Sequence, residues 1–354
     1  MSLKIGGNGM EKEKKSMGWE VARKVEEEKP SFMERFKPEK GMIIAACWGA
    51  GAFFIVFLLG CWLAGNPFEA TQRIPSEIVK AKGWVDTNQW GIFWYVVAMV
   101  IFFDYMDSAA GMGFGTALTP LLLVIGFDPK QIVPAVMIQQ GVAGLVSTYL
   151  HKEFENVEWK FKPMSETIKL WLIVSIVGCL AVTLSITAVY AYLKVGKIWI
   201  KLYVAALLLM MGVVSLYQAR KERPYRPNRM FAFAALAGFN KGVGGGGYGP
   251  VVTIGGLISG VPVKSMIAVT AICEGTVSSF AVLVWVFLLT AGITIDYVLL
   301  PSFMLGTIFA TTLACYTTRA FPSSLLRIGV PIYCCVVAAL CFWKIIPDVI
   351  AKLG

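Results

Sequence analysis

Four ionisable residues lie inside apolar stretches of this sequence, where a charge costs several kcal/mol and a function is the default expectation. They are Asp104, Asp107, Lys241 and Glu274. A carboxyl group in such a place can bind and release protons, and an ammonium can face an anion. Asp104 and Asp107 are three residues apart on one helical face, so at least one of them can hold a proton. We therefore predict Glu274, Asp104 and Asp107 as proton-coupling residues.

Each of these residues also has a purely structural interpretation. Lys241 can snorkel or pair with an aspartate instead of facing an anion. Asp107, or the neighbouring Ser108, can cap the helical segment that follows. A thiol function for Cys273, which adjoins Glu274, is a further alternative. The sequence leaves these alternatives open.

Gln140 and Glu274 occupy equivalent positions in two related segments that are 134 residues apart, and Lys130 and Lys264 are separated by the same interval. Counted from a helix start near Lys264, Glu274 lies about 15 Å deep, at the middle of a bilayer. A polar pair at equal depth predicts a site lined by both segments. A hydrogen bond between two helices is the alternative.

Two glycine clusters accompany these residues, "GMGFGTALTP" at 111–120 and "GVGGGGYGP" at 242–250. Glycine lets one backbone approach another and lets peptide N–H groups curl into a hollow that binds anions. The alternative is that glycine only permits close helix packing. We predict that the clusters and their polar neighbours bind substrate. The predicted substrate-binding residues are Gly111, Gly113, Gly115, Gln140, Asn240, Lys241, Gly242, Gly244, Gly245 and Gly246.

The composition places these residues in a polytopic membrane protein. Hydrophobic residues make up 57% of the 354, charged residues only 15%, and the mean hydropathy is +0.67. The net charge of +10 comes from basic residues between apolar segments, which argues against a nucleic-acid partner. Eight cysteines without metal-ligand spacing and a single histidine, His151, argue against a metal site. We expect no cofactor; the expected partners are a small anion and membrane lipid, with the oligomeric state left open.

The chain divides into a charged cytoplasmic segment at 1–40, an extra transmembrane helix at 41–65, a transport repeat at 90–217, a basic cytoplasmic linker at 218–229 and a second transport repeat at 230–347. In each repeat a short apolar piece runs into glycines and a second apolar piece follows, which predicts a re-entrant hairpin. Three transmembrane helices complete each copy. The recurring pattern indicates an internal duplication.

Lysine and arginine in the loops predict the orientation. With the N-terminus in the cytoplasm, 22 of them lie inside, nine lie outside, and Lys241 lies within the membrane. The first repeat then begins outside and the second inside, so the repeats are inverted. The predicted fold is an all-α polytopic membrane protein with two inverted-topology repeats, placed in the cell inner (plasma) membrane.

The glycine-rich segments carry a resemblance to a known family. Each lies near the head of its repeat, and each is followed by Pro120 or Pro250 and a "G-x-x-x-K" break. Over about residues 90–345 this pattern resembles the sulfite exporter TauE/SafE family. The resemblance implies a secondary transporter of inorganic sulfur oxyanions or organosulfonates, with glycine-rich re-entrant segments along the substrate path.

We therefore predict secondary active transport of sulfite, thiosulfate or organosulfonates by alternating access, coupled to protons, with export as the direction that the resemblance implies. An anion-conducting channel built from two re-entrant loops is the alternative. A membrane enzyme or a cysteine-relay sulfur carrier is a third class. No nucleophile and base are paired in the sequence, so an enzyme is not expected.

Overall fold

The computed structural model describes most of the chain. The described residues are 37–65, 72–81, 92–111, 113–157, 159–162, 164–193, 197–218, 225–320 and 323–353. The predicted charged N-terminal segment lies outside them except for its last four residues, as do the central residues of the basic linker.

Helices form all the regular secondary structure of the described residues. They are α1 (Lys40–Ala64), α2 (Glu77–Ala81), α3 (Trp94–Ala110), α4 (Thr119–Ile125), α5 (Pro129–Glu153), α6 (Glu166–Ile186), α7 (Lys197–Gln218), α8 (Arg229–Gly244), α9 (Tyr248–Ile258), α10 (Val263–Thr290), α11 (Leu300–Ala320) and α12 (Ser323–Leu353). A π-helical turn at Phe114–Leu118 leads into α4, and another at Thr187–Leu193 extends α6.

Five helices of the described residues are long and apolar enough to cross a membrane, namely α1, α5, α6 with its extension, α10 and α11. Their outward faces carry large exposed apolar side chains such as Trp48, Leu184 and Phe287, each 71% exposed. Such faces suit contact with the hydrocarbon of a bilayer. In that solvent the backbone N–H and C=O groups must find their hydrogen-bond partners within the protein, as they do in a helix. These observations confirm the predicted all-helical chain with several apolar helices of membrane-spanning length.

Helices α3 and α8 stop abruptly inside the protein. Each ends at a glycine in the left-handed conformation, Gly111 with φ 71° and Gly245 with φ 73°. The N–H of each glycine donates to a carbonyl four residues earlier, that of Asp107 or Lys241, at 2.7 Å in both cases. A left-handed residue is the usual end of a helix and favours glycine, because a Cβ is strained there. The interruptions therefore fall at the glycine clusters, 134 residues apart.

The two halves of the chain interlock through their helices. Helix α3 packs on α11, α8 packs on α6, and α5 crosses α10. At the crossing of α5 and α10, a Cβ on Gly144 would lie 2.5 Å from the amide nitrogen of Gly275, so only glycine permits this approach. Helix α1 packs on α11 and α5. The side chain of Lys241 on α8 reaches residues of both α5 and α10 in the interior.

Asp296, in the loop before α11, ties together three segments at the end of the bundle where α5 begins. One carboxylate oxygen accepts from the Ile74 N–H at 3.1 Å and from Gln131 Nε2 at 2.9 Å. The other accepts from the Val298 N–H at 3.0 Å and lies 3.9 Å from Arg73 Nε. Asp296 is 1% exposed, so these donors have little access to water.

We expect Asp296→Ala to lower the free energy of unfolding by about 3 kcal/mol, because it leaves several buried donors unpaired. Reversible unfolding in mixed detergent micelles measures this change. Glu77→Ala is the matched control, since the Glu77 side chain is 86% exposed and should contribute almost nothing. Equal stability of the two variants would contradict the prediction.

Candidate functional site

A buried cation lies at the broken end of α8. Lys241 is 0% exposed and sits in the last turn of the helix, four residues before the left-handed Gly245. Its Nζ lies 2.8 Å from Glu274 Oε1 on α10 and donates to Gln140 Oε1 on α5 at 2.6 Å. Three helices from both halves of the chain therefore converge on one ammonium group. A buried charge needs such partners, because desolvation without them is prohibitive.

Tyr248, the first residue of α9, lies beneath this ammonium. Lys241 Nζ is 5.2 Å from the centroid of the Tyr248 ring, within the range of a cation–π contact. The hydroxyl points toward α6, where a Cβ on Gly178 would lie 3.3 Å from it. Sequence reasoning missed Tyr248. Its place directly after the glycine break, where Phe114 stands 134 residues earlier, is the signal that could have found it.

Lys241, Gln140, Glu274 and Tyr248 form what we call the Lys241 cluster. A small cavity adjoins this cluster. Its polar lining comprises Asp107, Ser108, Gln140, Ser147, Thr270 and Glu274. Its free volume of about 10 Å³ is close to the least that holds one water molecule. A sulfur oxyanion does not fit this space, and in this sense we call the described conformation closed.

Asp107 and Asp104 have different surroundings. Asp107 lines the cavity and accepts from the backbone N–H of Phe114 at 3.2 Å, so it caps the helical segment that follows. Asp104 accepts from Gln139 Nε2 at 2.8 Å and from Thr311 Oγ1 at 2.6 Å. It is 1% exposed. Asp107 therefore belongs to the cavity, whereas Asp104 belongs to the contact of α3 with α5 and α11.

The two glycine clusters meet backbone to backbone. A Cβ on Gly115 would lie 2.5 Å from the carbonyl oxygen of Gly245, and a Cβ on Gly246 would overlap the carbonyl of Gly115. The N–H of Gly247 donates to Thr116 Oγ1 at 2.9 Å. All the predicted glycines are buried, namely Gly111, Gly113, Gly115, Gly242, Gly244, Gly245 and Gly246. In this conformation the N–H groups of Gly111, Gly245 and Gly247 donate within the chain.

Asn240 lies apart from the Lys241 cluster. Its side-chain oxygen accepts from the hydroxyl of Tyr203 on α7. Its Nδ2 is buried and has no hydrogen-bond partner among the described residues. The structure thus brings Gln140, Lys241 and Glu274 together with Asp107 near them, and it places Asn240 toward a different helix.

Comparisons with known proteins identify relatives of this chain. A family profile described as Sulfite exporter TauE/SafE matches residues 96–341, which include every residue of the Lys241 cluster. A protein of Bacillus subtilis (strain 168), described as "Probable membrane transporter protein YtnM", is 27% identical over 157 residues. That match covers 42% of this chain and 48% of the relative, so the chain spans about half the length of the relative. No solved structure matches the chain.

Proposed function

The chain belongs to the sulfite exporter TauE/SafE family of membrane transporters, and from this premise we propose that it is a secondary active transporter of sulfur-containing anions. Sulfite, thiosulfate and organosulfonates are the proposed cargo, moved across the cell membrane by alternating access, with export as the proposed direction. The oxygens of these anions accept several hydrogen bonds from N–H groups.

The observation that carries the proposal is the buried ammonium of Lys241. It supplies the positive charge that an anion needs at the membrane interior, at a point where α5, α8 and α10 meet. In the closed conformation the carboxylate of Glu274 forms an ion pair with this ammonium. An oxyanion can replace the carboxylate on Lys241 when the surrounding helices separate.

Proton coupling follows from the same ion pair. When Glu274 takes up a proton it loses its charge, and the Lys241 ammonium becomes free to bind an oxyanion. Proton and anion then bind together. Their joint movement is electroneutral for a monoanion such as hydrogen sulfite or methanesulfonate, and it carries one negative charge outward for an exported dianion such as thiosulfate. The direction of net flux follows the combined gradients, so export requires an inside excess of the anion that outweighs the inward proton gradient.

The inverted repeat gives this site two exits. We propose that α3 with α4 and α8 with α9 are the equivalent broken pairs of two halves with opposite orientation, as in other transporters with discontinuous helices. Support comes from the matching left-handed breaks at Gly111 and Gly245. The exchange of partners, α3 on α11 and α8 on α6, has the form expected of two related halves.

A ligand panel tests the cargo. Purified protein is heated with sulfite, sulfate, thiosulfate, methanesulfonate or, as the control, acetate. We expect sulfite, thiosulfate or the sulfonate to raise the melting temperature in proportion to ln(1 + [L]/Kd). Stabilisation by acetate alone would defeat the sulfur assignment. Counterflow of labelled substrate in liposomes distinguishes a carrier from an anion channel, which shows none.

We expect Glu274→Gln to abolish the coupling of anion flux to protons while retaining anion binding. Glutamine keeps an acceptor for Lys241 but cannot ionise, so the ammonium is available at every pH. The measurement is the pH change inside liposomes when an anion gradient is applied, with exposed Glu77→Gln as the control. Proton flux equal to that of the unmodified protein would remove Glu274 from the mechanism.

A further inference from the structure

A continuous stripe on α10 leads away from the Lys241 site. Glu274, Ser278, Ala281 and Trp285 lie within an arc of about 60° on this helix at 3.6 residues per turn. All four are buried, with exposed fractions between 0% and 5%. Ser278 lies about 6 Å and Trp285 about 17 Å beyond Glu274 along the helix axis. The proposed orientation places this end of α10, near Thr290, at the outer face of the membrane.

Beyond Glu274, the two polar groups of this stripe have no hydrogen-bond partner in the part of the chain that the structure describes. Ser278 Oγ and Trp285 Nε1 are both buried, and neither has a hydrogen-bond partner among the described residues. Buried side-chain atoms without a partner among the described residues also occur on other elements, as in Thr167, Asn240 and Tyr248. Buried polar groups nearly always have a partner, so an unpaired donor indicates a place for water or ligand.

The outer part of the stripe is connected to the broken end of α8. The ring of Tyr190 packs on that of Trp285, with a centroid distance of 4.8 Å. The Tyr190 hydroxyl donates to the carbonyl of Val243 at 3.1 Å. Val243 is two residues beyond Lys241, so the stripe and the ammonium border the same interior region.

The chemistry of the stripe fits an acceptor. An indole N–H can only donate, so it suits an oxyanion or a water oxygen and cannot ligate a cation. The Ser278 hydroxyl can also donate a hydrogen bond to such an oxygen. Between them Ala281 contributes only a methyl group, which leaves more room for a passing group than a larger side chain.

We propose that Ser278, Ala281 and Trp285 line the route of the anion between Lys241 and the outer face. The hydroxyl of Ser278 and the indole N–H of Trp285 donate to the oxyanion as it passes. In the closed conformation the packing of Tyr190 on Trp285 covers the outer end of this route. The inference rests on the proposed function and adds a path and two donor residues to it.

Cysteine accessibility tests this route without a transport assay. Ser278→Cys and Ala281→Cys are made in the full chain, reconstituted in liposomes and exposed on the outside to the anionic, impermeant reagent 2-sulfonatoethyl methanethiosulfonate. Labelling is located by mass spectrometry of the α10 peptide. Ser279→Cys is the matched control, because Ser279 adjoins Ser278 in the sequence and is more exposed than it, but faces Gly141 of α5.

We expect both stripe variants to react at least about tenfold faster than Ser279→Cys, because only the stripe lines the route that opens outward. Methanesulfonate, which does not attack the reagent, should slow the reaction, and acetate should not. Slowing by acetate alone leaves the route intact but defeats the sulfur cargo. Equal rates at the stripe and control positions, or a rate that neither anion changes, would overturn the route.

Discussion

Replacing Lys241 alone by methionine is expected to lower the free energy of unfolding by about 3–5 kcal/mol, because it leaves the Glu274 carboxylate buried without its partner. The Lys241 side chain is 0% exposed and that of Glu274 is 7% exposed, so little solvent screens the pair. The same variant should bind no oxyanion, since the site loses the ammonium group of Lys241. Reversible unfolding in mixed micelles and the ligand panel measure the two effects.

The double variant Lys241→Met with Glu274→Gln separates stability from binding. Removing both charges of a buried pair is often neutral, so most of the lost stability should return while anion binding stays absent. Lys80→Met is the control, because the Lys80 side chain is 59% exposed. A double variant that still binds methanesulfonate would show that another group holds the anion. A single variant as stable as the unmodified protein would contradict the ion pair.

The helical fold and its interruptions are predictable because they depend on local features. Long apolar stretches must form helices in a membrane, and glycine clusters are poor continuous helices. The structure has helices across the predicted apolar segments, and it ends α3 and α8 at Gly111 and Gly245. Helix α3 continues to Ala110 and α8 to Gly244, so each helix extends up to the glycine that ends it.

The partner of Lys241 is not predictable from the sequence alone. The sequence places Gln140 and Glu274 at equal depth but leaves Lys241 with an anion, a snorkelling role or an aspartate as alternatives. In the structure the partners of Lys241 are Glu274 and Gln140, because close glycine contacts bring α5 and α10 together. Which residues face each other depends on the crossing of the helices, and a periodicity argument has no access to it.

Tyr248 shows a second limit of sequence reasoning. An aromatic residue beside a glycine run reads as ordinary apolar packing, and only the position of the Lys241 ammonium over its ring gives it a role. Asp104 shows a third. Its spacing from Asp107 predicts that the two carboxylates interact, but it does not reveal that Gln139 and Thr311 on two other helices donate hydrogen bonds to Asp104.

Gly246→Ala is expected to lower the free energy of unfolding by about 3 kcal/mol or more, because the new methyl group meets backbone that cannot rotate away. A Cβ on Gly246 would overlap the carbonyl of Gly115 and lie 2.6 Å from the amide nitrogen of Thr116. Only a shift of the whole segment relieves this overlap. Unfolding in mixed micelles measures the loss.

Gly51→Ala on α1 is the matched control for this variant. Gly51 is exposed in a helix, and a Cβ there would meet no atom within 4 Å. Alanine is the better helix former by about 1 kcal/mol, so the control should be as stable as the unmodified chain or more stable. Losses of equal size at both positions would contradict the close contact of the glycine clusters.

The combination of Gly246→Ala with Gly115→Ala distinguishes the two interpretations of the glycine clusters. Both residues belong to one contact, so a shift that relieves the first overlap should also relieve the second, and the double variant should lose less stability than the two single variants added together. Alanine keeps the backbone N–H at both positions, but its methyl group would fill a hollow in front of them.

A variant that folds like the unmodified chain but fails to bind methanesulfonate would therefore indicate that the clusters act as an anion-binding hollow. Loss of stability with a non-additive double variant indicates instead that glycine is there to let the two broken helix pairs touch.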